Sequence, residues 1–117
     1  MSKKITLFIQ QNATNAVYNA YQFATQALEN GYELAYVFFW RESVSIANQN
    51  ITLAGDDINL QKLWQDLSQQ YTLPLYLCKS SAWRRGINQD NLAQHFILSS
   101  LGRLSENLTP EHKLISF

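Results

Sequence analysis

A buried strand runs directly into a helical turn in the stretch Leu73-Pro-Leu-Tyr-Leu-Cys78-Lys-Ser-Ser-Ala-Trp-Arg-Arg-Gly86. The apolar run predicts the strand, and Ser80 or Ser81 is expected to cap the turn that follows it. The only cysteine of the chain, Cys78, stands at the junction. The start of a helix presents unpaired amide groups and the positive end of a dipole, and both favour a thiolate at this position.

Cys78 allows two interpretations. Lys79, Arg84 and Arg85 add positive charge beside the sulfur if the turn brings them round, and this favours a reactive nucleophile. Free cysteine is also among the most buried residue types, and it often behaves as a small hydrophobic residue. The residues alone leave both interpretations open.

The composition is that of one globular domain, which we predict to span residues 1–117 with a core of its own. Charged residues make up only 15% of the chain, yet it contains three Trp, six Tyr and six Phe. So many aromatic residues indicate either a surface covered by another chain or an aromatic-rich core.

The charge and the metal-binding residue types exclude several classes of function. The formal net charge is zero, which disfavours direct binding to nucleic acid or to an anionic membrane. Cys78, His95 and His112 lack the paired spacings of a zinc site, so no metal and no cofactor are predicted. A single cysteine fits a reducing compartment, and the apolar run at 34–40 is too short to span a membrane. We therefore expect a cytoplasmic protein.

The hydrophobic pattern alternates between strands and helices. It predicts strands at residues 5–9, 34–39, 74–78, 96–99 and 113–117, and helices at 16–28, 60–71, 88–95 and 100–104. Strand, helix and strand in this order imply right-handed parallel crossovers. We predict an α/β fold, a three-layer sandwich around a mainly parallel five-stranded sheet, with the flavodoxin-like order 2-1-3-4-5.

That order would place Cys78 at a binding crevice. The sheet would reverse direction between its first and third strands, where open α/β sheets bind ligands at the carboxyl ends of the strands. Cys78 would then face the turn at residues 10–15. The long loop at 40–56 suggests contact with a partner, and the candidates for that contact are Trp40, Arg41, Glu42 and Trp83.

The motifs exclude some chemistry and leave one weaker alternative. The turn at 10–15 has no glycine, which disfavours a nucleotide site, and no G-x-S-x-G element is present. Cys78 and Arg84 have the C-x5-R spacing of the phosphate-binding loop in cysteine phosphatases and arsenate reductases. The intervening residues contain no glycine, so a phosphatase is the less favoured hypothesis.

A second resemblance covers essentially the whole chain. It is carried by Phe38-Phe39-Trp40-Arg41-Glu42 with Ala47-Asn48-Gln49, by Leu77-Cys78 with Arg84-Arg85-Gly86, and by Phe96-Ile97-Leu98-Ser99 with Leu101-Gly102. In this combination and order the chain resembles the DsrE/TusD family of sulfur-transfer proteins. The resemblance implies that Cys78 carries a persulfide, and we name Ser80, Ser81, Arg84 and Arg85 as its supporting residues.

The resemblance also implies partners. It implies a subunit of a TusBCD-like heterohexamer that passes sulfur from a TusA-like donor to a TusE-like acceptor, for 2-thiouridine synthesis at the tRNA wobble position. Related DsrEFH complexes serve sulfur oxidation instead. We expect a sulfurtransferase subunit; the alternatives are a non-catalytic assembly subunit, in which Cys78 is merely packed, and the phosphatase.

Overall fold

A parallel sheet organises the computed structural model, which describes residues 4–11, 14–51, 53, 55, 57–105 and 110–117. Its strands are β1 (Lys4–Ile9), β2 (Glu33–Phe39), β3 (Leu75–Cys78), β4 (Phe96–Ser99) and β5 (His112–Ser116). The helices are α1 (Thr14–Glu29), α2 (Leu60–Tyr71), α3 (Lys79–Arg84) and α4 (Gly102–Ser105), with a 3-10 helix at Arg41–Ala47. Every strand pair is parallel, which confirms the predicted α/β class.

The order of the strands corrects the predicted order, 2-1-3-4-5. It is 4-3-2-1-5, so β3 pairs with β2 and β4, and β1 pairs with β2 and β5. β2 occupies the centre because four consecutive residues at its end, 36–39, are buried, and such a strand needs cover on both faces. The predicted crevice between β1 and β3 therefore does not form. The connections reverse direction between β1 and β5 instead.

The two sides of the sheet differ in their cover. From β1 to β4, each strand lies beside the previous one on the same side, so the chain moves in one direction across the sheet. Because parallel crossovers are right-handed, this places α1, α2 and α3 on one side of the sheet, here called the first face. The return from β4 to β5 steps the other way and brings α4 to the opposite side, the second face. These helices and the sheet form the three predicted layers.

The first face holds the larger core. Alternate strand residues such as Leu7, Val37 and Leu75 point into it and are fully buried. The ring of Trp64 on α2 is also fully buried, with its centroid 5.6 Å from those of both Tyr21 and Phe39 in edge-to-face contacts. Among the described residues no helix is both long and apolar enough to cross a membrane.

The helix predicted at 88–95 is absent, and this prediction was wrong. The segment forms turns, in which the side chain of Asn88 accepts from the amide of Asp90 and that of Asn91 accepts from the amide of Asn88. The Asn91 side chain also donates to the carbonyl of Gly86, whose φ of 76° is in the left-handed region. Asparagine side chains that bond the nearby backbone compete with a helix, and here they prevail.

Candidate active site

Cys78 is the last residue of β3 and also the N-cap of α3. Its φ of −64° and ψ of 116° are extended, and helical conformation begins at Lys79. The predicted junction of strand and helix at the cysteine is thus confirmed, but neither Ser80 nor Ser81 is the cap. The first amide groups of a helix have no acceptor within it, and those of α3 begin directly after Cys78.

The thiol belongs to the aromatic second face. Cys78 is 6% exposed and clusters with the buried rings of Tyr36 and Phe38. The half-buried rings of Phe8 and Trp40 pack against this cluster, stacked on each other with their centroids 5.5 Å apart. The sulfur is therefore set in a largely apolar wall at the carboxyl edge of the sheet.

Arg103 is a basic residue of this site that sequence reasoning missed. Its Nε donates to Ser99 Oγ over 2.8 Å, and Ser99 is the residue of β4 that pairs with Cys78. Its Cζ lies 3.9 Å from the ring centroid of Tyr76, and its carbonyl accepts from the hydroxyl of Tyr36 at 3.3 Å. Three neighbours of the cysteine thus hold α4 in place. No local pattern marks Arg103, because its partners lie 4, 27 and 67 positions away along the chain.

Buried Ser81 joins the carboxyl ends of β2 and β3. The backbone amide of Arg41 donates to Ser81 Oγ over 3.1 Å. Arg41 has a φ of 56°, a conformation that costs a non-glycine residue about 1–2 kcal/mol, and its guanidinium lies 4.2 Å from the ring centroid of Trp40. The segment after β2 is thereby fixed against α3.

Arg85 and Glu42 form a second bridge between the end of α3 and the 3-10 helix that follows β2. Arg85 Nη2 donates to Glu42 Oε1, and its Nη1 donates to the carbonyl of Ser81, both over 2.9 Å. The hydrogen bond from Arg85 holds the pKa of the Glu42 carboxyl below its ordinary value of 4.5. The guanidinium of Arg85 is therefore already bonded within the protein, where it holds α3 in place, and it is not a free cation.

The remaining predicted residues of α3 face solvent. Lys79, Ser80 and Arg84 are exposed, and Trp83 is 58% exposed. Because the residues between Cys78 and Arg84 form a helix, they do not form the open loop of backbone amides that surrounds a phosphate in C-x5-R enzymes. The geometry thus gives the phosphatase alternative no support.

Comparison with known proteins identifies the family. The model of the DsrE/DsrF-like family matches residues 3–117. The chain belongs to this DsrE/DsrF-like family. The predicted resemblance is confirmed, and it extends over the strands and helices that carry Cys78.

Three similar proteins are each named sulfurtransferase TusD or a homologue of it. Sulfurtransferase TusD of Proteus mirabilis is 36% identical, with 89% of this chain and 88% of the relative covered. Sulfurtransferase TusD of Serratia proteamaculans is 37% identical, with 89% of each covered. The TusD homologue of Pasteurella multocida is 42% identical over 71% of this chain and 73% of the relative. The predicted enzyme class, a sulfurtransferase, is confirmed.

A solved structure supports the fold. The ychN protein of E. coli superposes with a TM-score of 0.82 over 100% of both chains, at 21% sequence identity. At this identity the likeness establishes the fold of this DsrE/DsrF-like chain and not its chemistry.

Proposed function

We propose that this sulfurtransferase carries sulfur as a persulfide on Cys78. The observation that supports the proposal most is the position of the only cysteine at the amino end of α3, in a chain whose relatives are sulfurtransferases. Ser81 and Arg85 would support the site by bracing α3, whereas Ser80 and Arg84 lie on its solvent side.

The proposed reaction exchanges one sulfur–sulfur bond for another. The Cys78 thiolate attacks the outer sulfur of a donor persulfide, a new bond forms to that atom, and the donor's own S–S bond breaks. The donor leaves as a thiolate, and the proton of the persulfide travels with the transferred sulfur. An acceptor thiolate then repeats the step on Cys78, so no external oxidant or reductant is consumed.

The surroundings of Cys78 suit a labile intermediate. The free amides at the start of α3 favour negative charge on sulfur. The rings of Phe8, Tyr36, Phe38 and Trp40 keep water from the far side. Exclusion of water and oxidants lengthens the life of a persulfide, which is the main demand that a carrier places on its protein.

The biological setting is the finer part of the proposal. We propose a single-domain subunit of a complex with partners resembling TusB and TusC, a TusA-like donor and a TusE-like acceptor. The end product would be 2-thiouridine at the tRNA wobble position. The TusD names of the relatives support this assignment. A single reduced thiol suits the cytoplasm as the site of the relay.

Mass spectrometry of the protein after incubation with inorganic polysulfide tests the persulfide. We expect one added sulfur atom on the wild type, removable by a reducing agent, and none on Cys78→Ser. The added sulfur should map to the peptide that contains residue 78. An unchanged mass, or an equal gain on Cys78→Ser, would refute the proposal.

The burial of Cys78 favours one second candidate, a non-catalytic assembly subunit. At 6% exposure the thiol is as covered as many structural cysteines. This candidate predicts that iodoacetamide modifies Cys78 only when the protein is unfolded in urea. It also predicts that Cys78→Ala supports full sulfur flux in the complex, whereas a carrier loses the flux completely.

A further inference from the structure

One side of α3 is exposed directly beside the reactive cysteine. Ser81 and Ala82 point inward and are buried, while Lys79, Ser80, Trp83 and Arg84 point outward. Of the large apolar side chains in the described residues, none is more exposed than Trp83 at 58%. We call Lys79, Trp83 and Arg84 the outer face of α3.

The outer face carries positive charge that no acidic side chain of the described residues neutralises. Lys62 pairs with Asp66 and Arg85 with Glu42, whereas neither Lys79 nor Arg84 has an acidic partner among the described residues. The nearby carboxylate of Glu42 is already bound by Arg85. Since the whole chain has a formal net charge of zero, this surplus is local.

Trp83 and Arg84 differ from the residues that hold the helix in place. Arg85, next to Arg84, braces α3 through Glu42 and Ser81 and is half-buried. In contrast, Trp83 is more than half exposed, and the exposed Arg84 has no acidic partner among the described residues. Trp and Arg are the residue types that most often carry the binding energy of protein interfaces.

We infer that the outer face of α3 receives the protein that exchanges sulfur with Cys78, and that this protein presents an acidic segment around its own reactive thiol. The inference rests on the proposed function. Lys79 follows Cys78 directly, so a segment bound on this face brings its thiol to the edge where the sulfur lies. Trp83 supplies apolar contact, and Lys79 and Arg84 supply charge complementarity.

A protein fits the outer face better than RNA does. The bound molecule must itself contain a sulfur atom. In the transfer this atom forms a new S–S bond to the outer sulfur of the Cys78 persulfide, while the bond between that outer sulfur and Cys78 breaks. Proteins that bind nucleic acid by charge also show a broad basic surface, which a chain of zero net charge does not predict.

Two synthetic hexapeptides test the inference. Each contains one cysteine, flanked by glutamates in one peptide and by lysines in the other. Cys78 is first loaded with sulfur from inorganic polysulfide, and the appearance of peptide persulfide is followed by mass spectrometry. At low ionic strength we expect the acidic peptide to react at least about ten-fold faster than the basic one, and the ratio to fall as salt is added.

Matched variants locate the effect. The double variant Lys79→Glu with Arg84→Glu should bring the ratio of rates to one or below, and Trp83→Ala should slow the acidic peptide several-fold. The controls Lys113→Glu, on β5, and Tyr32→Ala, with a side chain 57% exposed, should retain the ratio of the wild type. The rate of Cys78 with neutral iodoacetamide, a reagent that needs no docking, is measured for every variant, and each peptide rate is divided by it so that a change in the reactivity of the sulfur itself is removed.

The outcomes separate this inference from the proposed function. A protein that polysulfide does not load overturns both. A protein that loads but serves the two peptides equally, or keeps its preference in the Lys79→Glu, Arg84→Glu variant, overturns the inference alone. Binding of a single-stranded RNA oligonucleotide that is lost in Arg84→Glu would also overturn it, in favour of a nucleic-acid surface.

Discussion

The two faces of the sheet differ in their residues and in how much of each is covered by helices. The first face combines many aliphatic and alanine side chains with the aromatic cluster around Trp64, and α1 and α2 cover it closely. The second face is aromatic, and among the described helices only the short α4 covers it. Cys78 points to the second face, because side chains alternate along β3 and its neighbour Leu77 points to the first. One strand thus contributes both to the main core and to the edge that carries Cys78.

The contrast suggests a division of labour. Close packing against two helices gives most of the stability and tolerates little change. A thinly covered aromatic face tolerates more change and leaves room for a partner to approach its edge. Substitutions on the two faces should therefore separate stability from reactivity.

Trp64→Ala should have the largest effect on stability. Its side chain is fully buried between Tyr21 and Phe39, so truncation leaves a large cavity on the first face. We expect a loss of about 3–5 kcal/mol in the free energy of unfolding, measured by urea denaturation. Trp64→Phe should cost less, about 1 kcal/mol, because the buried Nε1 has no hydrogen-bond partner among the described residues to lose.

Trp40→Ala should have a smaller effect on stability and a specific effect on Cys78. The half-buried ring packs against the cluster that contains the thiol, so its removal opens the second face. We expect a cost of about 1–2 kcal/mol and a several-fold rise in the rate of alkylation of Cys78 by iodoacetamide. Equal stability losses for Trp40→Ala and Trp64→Ala would contradict the contrast between the faces.

Glu42→Gln should have the smallest effect, at the edge where the two faces meet. The pKa of Glu42 is lowered by Arg85, so the pair stabilises the folded state above the ordinary pKa of 4.5 and this contribution is lost as the pH falls through the folded value. Urea midpoints of wild type and variant should therefore differ slightly at pH 7, and the difference should shrink as the pH falls below 4.5. A difference that stays constant below pH 4.5 would show that the charge of Glu42 is not the cause.

Local patterns predicted the elements of this fold well and their arrangement poorly. The apolar run at 34–39 and the stripe of α2 identified both elements, because each pattern is complete within its own segment. Which strands pair depends on residues far apart in the chain, and no single segment shows it. For this reason the predicted order placed β1 beside β3, where the structure has β2.

The site divides in the same way. Cys78 was proposed from its predicted position between an apolar run and a helix start, and this position, which local information predicts, is the one that the structure has. The Arg85–Glu42 pair joins residues 43 positions apart, and Arg103 meets Tyr36 across 67. Only the folded chain brings these groups together. No local pattern distinguishes Arg84 from Arg85, but in the folded chain Arg85 is half-buried and bonded to Glu42 and Ser81 while Arg84 is exposed.

The pairing of β1 with β5 joins residues about a hundred positions apart, whereas β1 and β2 are about thirty apart. Closing the longer loop costs about 1 kcal/mol more in chain entropy, so β5 is expected to be the last strand to join and the first to detach. Two strands separate it from β3. Local unfolding of β5 would therefore leave the surroundings of Cys78 intact, and the sheet could open at this strand without disturbing the proposed site.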